Sequence, residues 1–433
     1  MDPRDIMSDT DMSLRQIGVV AVTVALCAMD GFDVLAISFA SPGISSEWGI
    51  DRAALGVVLS MELFGMAIGS VVMGRLADAW GRRPIILGCV ILMSAGMWLA
   101  TTATSIVDLS LWRVATGMGI GGTLSAINAV AAEFSNARRR SLCVSLMVIG
   151  YPIGAVIGGT IAAVLLRNND WRSIFEFGAM ATATLIPVVF FLVPESVAWL
   201  CEKQPDNALE RINRVLARMG KQRVDRLPPA GLAKRRQSLA AIFAADLAPT
   251  TILATLAYAL HITTFYYILK WVPKIVVDMG FEASSAAAVL VWANLGGATG
   301  GALFGLLTQR VQLFRLTIGT LLLATTMVIL FGTGFDNLLQ LSLISAAVGF
   351  FTNSGVVGIY AILAQVYPAS TRATGTGFAI GMGRGGSVLA PILAGFLFAA
   401  GQGLQTVSII MGLGSTFAAV AIWLLMRSRN SRL

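Results

Sequence analysis

The sequence GRLADAWGRRP occupies residues 74–84 and links two apolar stretches, 53–77 and 84–104. Each stretch has the roughly 20 residues that an α-helix needs to cross a ~30 Å hydrocarbon layer. The link is short and charged, with one aspartate and three arginines, which is typical of a loop held at a membrane surface. A pair of helices that crosses a membrane twice is therefore the first element of the predicted fold.

Similar stretches recur along all 433 residues, of which 56% are hydrophobic and only 12% charged. Soluble domains carry about 25% charged residues, so this composition excludes a large soluble protein. We predict an all-α integral membrane protein with twelve transmembrane helices. They are expected near 16–42, 53–77, 84–104, 107–133, 139–167, 171–194, 247–273, 283–308, 312–334, 337–366, 372–400 and 404–426.

The net charge of +8 indicates topology rather than a polyanionic partner such as nucleic acid. When the loops are assigned alternately to the two sides, most of the 31 Lys and Arg fall on the side that holds both termini. Because basic residues collect in cytoplasmic loops, we expect both termini in the cytoplasm. The acidic start, MDPRDIMSDTDM, is unlike a cleavable signal peptide, so we expect the first span to remain as an anchor.

The longest polar segment, residues 197–246, divides the twelve spans six and six. We predict an N-terminal six-helix half at 1–196, a basic cytoplasmic linker at 197–246 and a C-terminal six-helix half at 247–433. The linker is interpreted as a surface helix touching anionic lipid headgroups, with a regulatory domain as the alternative. SVVMGRLADAWGRRP (70–84) and GALFGLLTQRVQLFR (301–315) occupy corresponding places, which indicates two pseudo-symmetric halves.

Four motifs resemble those of the major facilitator superfamily: GRLADAWGRRP (74–84), RVATGMGIGG (113–122), GYPIGAVIGG (150–159) and PES (194–196). The resemblance covers essentially the whole chain and implies the major facilitator fold, with alternating access between two six-helix halves. In the first motif, Gly74, Asp78, Arg82 and Arg83 would form a cytoplasmic latch, with Asp78 facing the start of the eleventh helix. Simple topology-setting charge is the alternative for these residues.

Three further segments resemble the aromatic acid:proton symporters of this superfamily: DGFD (30–33), YYILKWVPKIVVDMG (266–280) and RATGTGFAIGMGRGG (372–386). The resemblance implies uptake of benzoate- or hydroxybenzoate-type carboxylates with protons across the bacterial inner membrane, and we expect the protein to be a monomer. The proton gradient would supply the energy, and no cofactor or metal is expected. Transport of another organic anion, or proton-coupled efflux by an antiporter, is the alternative. An enzyme is disfavoured because the single His and scattered cysteines form no nucleophile–base or metal-ligand motif.

Ionisable residues inside membrane-spanning helices are functional candidates, since a charge there costs at least ~2.5 kcal/mol. Counting the ~1.5 Å rise per residue places polar residues of five spans at one height: Asp30, Arg113, Glu176, His261 and Arg384. We predict that Asp30, Asp33, Arg113 and Glu176 couple protons. Arg113 is expected to pair with Asp30 or Glu176, while Asp33 accepts the proton. The alternatives are a structural role for Glu176 and two aspartates that only neutralise Arg113.

Six residues of the second half are candidates for substrate binding: Arg384, His261, Tyr258, Phe265, Asn353 and Trp292. No acidic residue of the C-terminal half is expected at the same height in the membrane as Arg384. We therefore expect Arg384 to bind the substrate carboxylate through two parallel hydrogen bonds. The rings would stack on a substrate ring. The alternatives are a hydrogen-bonded core histidine and lipid-facing aromatic residues.

Two other groups are interpreted as packing residues. Glu62 shares a helical stripe with Gly65 and Gly69, which is typical of close helix packing or of a gate. The cysteines have no metal-ligand or redox spacing, so we expect them to pack in the interior; they are Cys27, Cys89, Cys143 and Cys201.

Overall fold

The computed structural model describes residues 2–228, 239–244, 247–368 and 371–430. Residues 229–238 and 245–246 of the predicted linker therefore lie outside the described part of the chain. The described residues form sixteen α-helices and one 3₁₀-helix, Leu239–Phe243. The α-helices are α1 (Pro3–Asp9), α2 (Leu14–Trp48), α3 (Arg52–Trp80), α4 (Arg82–Thr101), α5 (Ile106–Glu133), α6 (Arg140–Leu165), α7 (Arg172–Leu192), α8 (Val197–Lys203), α9 (Ala208–Arg218), α10 (Ala248–Asp278), α11 (Ala283–Leu307), α12 (Leu313–Phe331), α13 (Leu338–Val366), α14 (Arg372–Gly383), α15 (Gly385–Ala399) and α16 (Leu404–Asn430).

Twelve helical spans in the described ranges are long and apolar enough to cross a membrane. Eleven are single helices, α2–α7, α10–α13 and α16, and the twelfth runs through α14 and α15 as Thr374–Ala399. The predicted all-α fold with twelve spans is therefore confirmed. Two of these spans are capped by a side chain at their start: the Ser105 hydroxyl accepts from the Asp108 N–H before α5, and the Asn337 amide oxygen accepts from the Leu339 and Gln340 N–H groups before α13.

The chain forms two compact units. Unit 1 comprises Met1–Val34, Phe64–Ala155 and Phe175–Arg235, and unit 2 comprises Leu35–Leu63, Val156–Ile174 and Arg236–Leu433. Four helices of the first half, α2, α3, α6 and α7, thus contribute residues to both units. The division into halves at residues 197–246 stays a prediction.

The core of unit 1 includes the short helices of the linker region. Ile86 of α4 and Ile127 of α5 are fully buried in the same apolar cluster as Leu200 of α8 and Ile212 of α9. Helix α9 therefore turns its apolar face into the protein and leaves charged residues such as Glu210 exposed. In unit 2, an apolar cluster joins helices α10, α12, α13 and α16.

Glycines bring α2 and α6 of unit 1 into backbone contact. A Cβ atom on Gly31 would overlap the carbonyl oxygen of Tyr151, and one on Gly154 would overlap that of Ala28. Only glycine permits this approach, which is common where transmembrane helices pack closely. The contact fixes the segment of α2 that carries the DGFD motif.

Candidate functional site

The carboxyl group of Asp30 is fully buried in unit 1, on the middle of α2. Neither of its oxygens has a hydrogen-bond partner among the described residues. The thiols of Cys27 and Cys89 are its electrostatic neighbours. Burying an unpaired charge is costly, so these surroundings suit a carboxyl group that carries a proton.

Arg113 contacts the next turn of α2, where Asp33 lies. Its Nη2 donates to the Asp33 carbonyl oxygen at 3.0 Å, and its guanidinium lies 5.2 Å from the ring centroid of Phe175. The Asp33 carboxylate also accepts from Thr182 Oγ1 at 3.5 Å. The expected pairing of Arg113 with Asp30 is wrong, because the guanidinium reaches α2 at Asp33, one turn further along.

Glu176 does not join the group formed by Asp30, Asp33 and Arg113. Its side chain is exposed, whereas Arg113 is fully buried, and Glu176 makes no hydrogen bond or ion pair with any described residue. The preceding residue, Phe175, is the one that faces the guanidinium. Successive residues of an α-helix point about 100° apart, so only one of the two can face Arg113. The expected Glu176–Arg113 pair is therefore wrong.

In unit 2, Arg384 lies at an interruption of the eleventh span. It is the C-cap of α14 and the N-cap of α15 at once, between Gly383 and Gly385. The Ser387 hydroxyl donates to the Arg384 carbonyl oxygen at 2.6 Å and steadies the turn. The interruption is slight, because Arg384 keeps helical dihedrals and its N–H donates to the Ile380 carbonyl oxygen at 3.0 Å.

Two tyrosines lie beside this interruption. The ring of Tyr258 packs directly on Gly383, where a Cβ atom would overlap it, and its hydroxyl is within electrostatic reach of Arg384. Tyr258 is buried, and its hydroxyl lies 3.1 Å from that of Tyr360. The two ring centroids are 5.6 Å apart. Two phenol hydroxyls and two aromatic faces thus lie together beside the backbone position that carries Arg384, and we call these residues the Tyr258–Tyr360–Arg384 cluster.

Two other substrate candidates are engaged elsewhere in unit 2. His261 bonds the Thr352 carbonyl oxygen through Nε2 and the Ser415 hydroxyl through Nδ1, each at 2.8 Å. Because a carbonyl only accepts, Nε2 carries the hydrogen, and the imidazole ties α10 to α13 and α16. Asn353 donates to the Gly297 carbonyl oxygen at 2.6 Å and ties α13 to α11. Both geometries favour structural roles.

The remaining aromatic candidates lie on the surface of unit 2 or at its edge. Trp292 is 41% exposed on α11. Phe265 is half-buried and makes an edge-to-face contact with Tyr266 at 5.4 Å. Their predicted contact with a substrate ring stays a prediction.

The four predicted latch residues lie on either side of the junction between α3 and α4, with Gly74 and Asp78 in α3 and Arg82 and Arg83 in α4. Arg82 donates to the Asp78 carboxylate at 2.8 Å and to the Ala77 carbonyl oxygen at 2.9 Å. Arg83 donates to the Phe190 carbonyl oxygen at 2.7 Å. A Cβ atom on Gly74 would make ordinary van der Waals contact with Ser125, 3.7 Å from its Cβ. The expected contact of Asp78 with the start of the eleventh helix stays a prediction.

Glu195 of the PES motif completes this loop. Its carboxylate accepts from the backbone N–H of Arg82 at 2.8 Å, at the start of α4, and from that of Ser196 at 2.9 Å. A carboxylate at a helix N-terminus is favoured by the free N–H groups and the helix dipole. Gly81 packs against this carboxylate with φ at +112°, a conformation that L-residues rarely adopt.

The comparison with known families decides the classification. The model of the Major Facilitator Superfamily matches residues 21–339 and 255–432. The chain belongs to this superfamily of transporters. It is thus a multi-pass membrane protein, and the resemblance seen in its sequence motifs is confirmed.

Relatives within the superfamily align along almost all of the chain. The 3-(3-hydroxyphenyl)propionate transporter of Escherichia coli K12 is 30% identical over 95% of both chains. The 4-hydroxybenzoate transporter PcaK of Acinetobacter baylyi is 27% identical over 98% of this chain and 94% of its own. The benzoate transport protein of the same organism is 28% identical over 88% of this chain and 83% of its own.

Solved structures agree on the fold alone. The D-xylose–proton symporter has a TM-score of 0.71 at 17% identity and covers 94% of this chain and 97% of its own. A bacterial homologue of the lysosomal transporter Spinster, in an inward-facing form, also has a TM-score of 0.71, at 16% identity, over 96% and 98%.

Two residues of the polar clusters, Tyr360 and Glu195, were not among the candidates identified from the sequence. Tyr360 lies seven residues after Asn353, which is two turns along the same face of α13, and that spacing was an available signal. Glu195 stood inside the quoted PES motif, but its role as a cap of α4 depends on a contact 113 residues away in sequence.

Proposed function

We propose that the protein is a symporter that imports small aromatic carboxylates together with protons across the bacterial inner membrane. It works by alternating access as a monomer with both termini in the cytoplasm, and the proton gradient is its energy source. The observation that carries the proposal is the alignment of 95% of the chain with a transporter of a hydroxyphenyl carboxylate and of 98% with one of a hydroxybenzoate. The polar groups around Asp30 and around Arg384 supply the chemistry that such transport needs.

Asp30 is the proton carrier in this proposal. Its carboxyl group is fully buried without a hydrogen-bond partner among the described residues, so it is held there as the neutral acid. A conformational change that admits water would let the same group ionise, because hydration stabilises the charge. Asp33 and Arg113 act as the positioning residues, since Arg113 holds the turn of α2 that follows Asp30.

The Tyr258–Tyr360–Arg384 cluster binds the substrate. The guanidinium of Arg384 takes the carboxylate through paired hydrogen bonds. The phenol hydroxyls can donate to the same group or to a ring hydroxyl, and the ring faces can stack on the aromatic ring of the substrate. A monocarboxylate with one ring matches this set of groups.

The test is uptake by proteoliposomes of radiolabelled benzoate, 4-hydroxybenzoate, gentisate and 3-(3-hydroxyphenyl)propionate, with and without an acidic exterior. Accumulation of at least one acid above its outside concentration, only with the pH gradient, is the expected result. Cyclohexanecarboxylate has the same charge without an aromatic ring and is the matched control ligand. Equal uptake with and without the gradient, or accumulation of the control alone, would reject the proposal.

Asp30→Asn separates the proton step from substrate binding. The amide keeps the shape but does not titrate, so the variant should lose pH-driven accumulation and keep exchange of labelled for unlabelled substrate. Glu176→Gln, which neutralises an exposed carboxylate of the same unit, is the control and should behave as the wild type. Normal accumulation by Asp30→Asn would remove this residue from the proton path.

Arg384→Lys tests the substrate site while keeping the positive charge. A lysine ammonium cannot form the paired bonds of a guanidinium, so we expect KM to rise at least tenfold. Arg172→Lys is the control, because Arg172 pairs with Glu47 at the end of α2 and has no place in the substrate cluster. A KM within threefold of the wild type in Arg384→Lys would exclude this arginine from carboxylate binding.

A further inference from the structure

Unit 2 contains an ion pair that the proposed transport cycle has not used. Lys270 Nζ lies 3.3 Å from Glu62 Oε2, and both side chains are completely buried. Lys270 comes from α10 and Glu62 from α3, so the pair joins helices of the two sequence halves. Replacing a buried ion pair by apolar residues of similar size is often neutral or stabilising. A contribution to stability is therefore a weak explanation for the Glu62–Lys270 ion pair, and we look for a functional explanation.

The pair belongs to an antiparallel contact between α3 and α10. A second pair joins Arg52 to Asp278 at 3.0 Å, and it is partly exposed. Arg52 precedes Glu62 by ten residues and Asp278 follows Lys270 by eight, which is roughly 15 and 12 Å along the two helices. Both pairs therefore belong to one continuous seam, which we call the α3–α10 seam, at the end predicted to face outwards.

One feature allows the α3–α10 seam to separate. Pro273 lies three residues after Lys270 inside α10. A proline inside a helix has no N–H for the carbonyl of the residue four positions earlier, here Leu269, and it favours a bend at that point.

Separation of the seam would take the carboxylate of Glu62 away from Lys270. The ammonium would then face the opened side and attract an anion. A substrate carboxylate has the same charge and the same acceptor atoms as the Glu62 carboxylate that it would replace. Trp271 follows Lys270, and its ring is tilted by 47° against that of Phe398, with the two centroids 5.1 Å apart.

We propose that Lys270 is a second binding site for the substrate carboxylate, occupied in the outward-facing state. Glu62 is the internal carboxylate that displaces the substrate when the α3–α10 seam closes. The released substrate then passes along α10 to the Tyr258–Tyr360–Arg384 cluster, since Tyr258 lies twelve residues, roughly 18 Å, before Lys270. This inference rests on the proposed function.

The test uses KM for 4-hydroxybenzoate and 3-(3-hydroxyphenyl)propionate presented from outside, together with thermal unfolding of each purified variant. The neutral pair Glu62→Gln/Lys270→Met should unfold near the wild-type temperature and show KM raised at least tenfold. The exchanged pair Glu62→Lys/Lys270→Glu restores an ion pair but places a carboxylate at position 270, so its KM should stay raised. The matched control is Arg52→Gln/Asp278→Asn in the same seam, where we expect less than a threefold change.

The inference would be overturned if either the neutral pair or the exchanged pair had the KM of the wild type. An ion pair with a purely structural or gating role predicts a wild-type KM for the exchanged pair, because the exchange restores the ion pair. Should the neutral pair fail to fold, the exchanged pair and Lys270→Arg decide. Lys270→Arg keeps the charge, and its KM should stay within threefold of the wild type, whereas a tenfold rise would count against carboxylate binding. Lack of uptake of both acids by the wild type would instead reject the proposed function itself.

Discussion

Gly154→Ala should destabilise the protein and impair proton-driven uptake, although the change adds only one methyl group. The new Cβ would overlap the carbonyl oxygen of Ala28 and lie 2.6 Å from its Cα. These are backbone atoms, which cannot rotate away, so α2 and α6 must move apart. Ala28 lies two residues before Asp30, so the displacement reaches the buried carboxyl group directly.

The size of the effect follows from comparing three glycines. Gly88 of α4 has no atom within 4 Å of an added Cβ, so alanine there should stabilise the helix by ~0.5–1 kcal/mol. At Gly150 the Cβ would lie 2.5 Å from the Val24 carbonyl oxygen; ordinary contact begins at 3.4 Å, so the helices must separate by about 0.9 Å. Gly154 requires the largest shift, and overpacking of this kind costs ~1–3 kcal/mol.

The assay is thermal unfolding of the three alanine variants in detergent, followed by pH-driven uptake in proteoliposomes. We expect the order of stability to be Gly88→Ala, then Gly150→Ala, then Gly154→Ala, with the wild type between the first and the second. Uptake should fall in the same order. Gly154→Ala with the stability and uptake of Gly88→Ala would refute the close backbone contact of α2 and α6.

Three further predictions concern single side chains. Glu195→Ala should destabilise the protein by ~1–2 kcal/mol in thermal unfolding, because it removes the acceptor at the start of α4; unchanged stability would show that this cap is unimportant. Tyr360→Phe should raise KM for 4-hydroxybenzoate more than for benzoate, since it removes one hydroxyl from the pair with Tyr258; equal KM changes would place that hydroxyl outside the site. Burial raises the pKa of the Cys201 thiol to about 11 from 9.0, so its contribution to stability is complete below pH 9 and is lost as the pH rises through 11. With the other cysteines replaced by alanine, alkylation of folded protein should accelerate only towards pH 11, and fast alkylation at pH 8 would contradict its burial.

The twelve spans were predictable because a run of apolar residues is a local property of the sequence. The end of α10 shows the limit of that signal. The sequence placed it near 273, after Lys270, whereas the helix continues to Asp278. The charge of Lys270 is matched by Glu62, 208 residues away, and no local pattern can show such a partner.

The sequence identified most residues of the candidate site, but it did not show correctly which of them contact one another. Heights along a helix follow from residue counts, but two neighbouring residues at almost the same height point about 100° apart. That is why Arg113 was assigned to Asp30 and Glu176, although it contacts Asp33 and Phe175. The interruption at Arg384 was missed because a glycine-rich run reads the same whether the helix continues or breaks.

The composition of unit 2 has a consequence for biosynthesis. Its segments Leu35–Leu63 and Val156–Ile174 leave the ribosome long before the residues that follow 236, with which they share a compact unit. Until the later helices are inserted, the surfaces by which these early segments pack in unit 2 have no partners. During that interval they are accessible to chaperones in the membrane. A polypeptide starting at residue 239 lacks both segments, so it should be degraded when made alone and rescued when a separate polypeptide of residues 1–228 is made in the same cell.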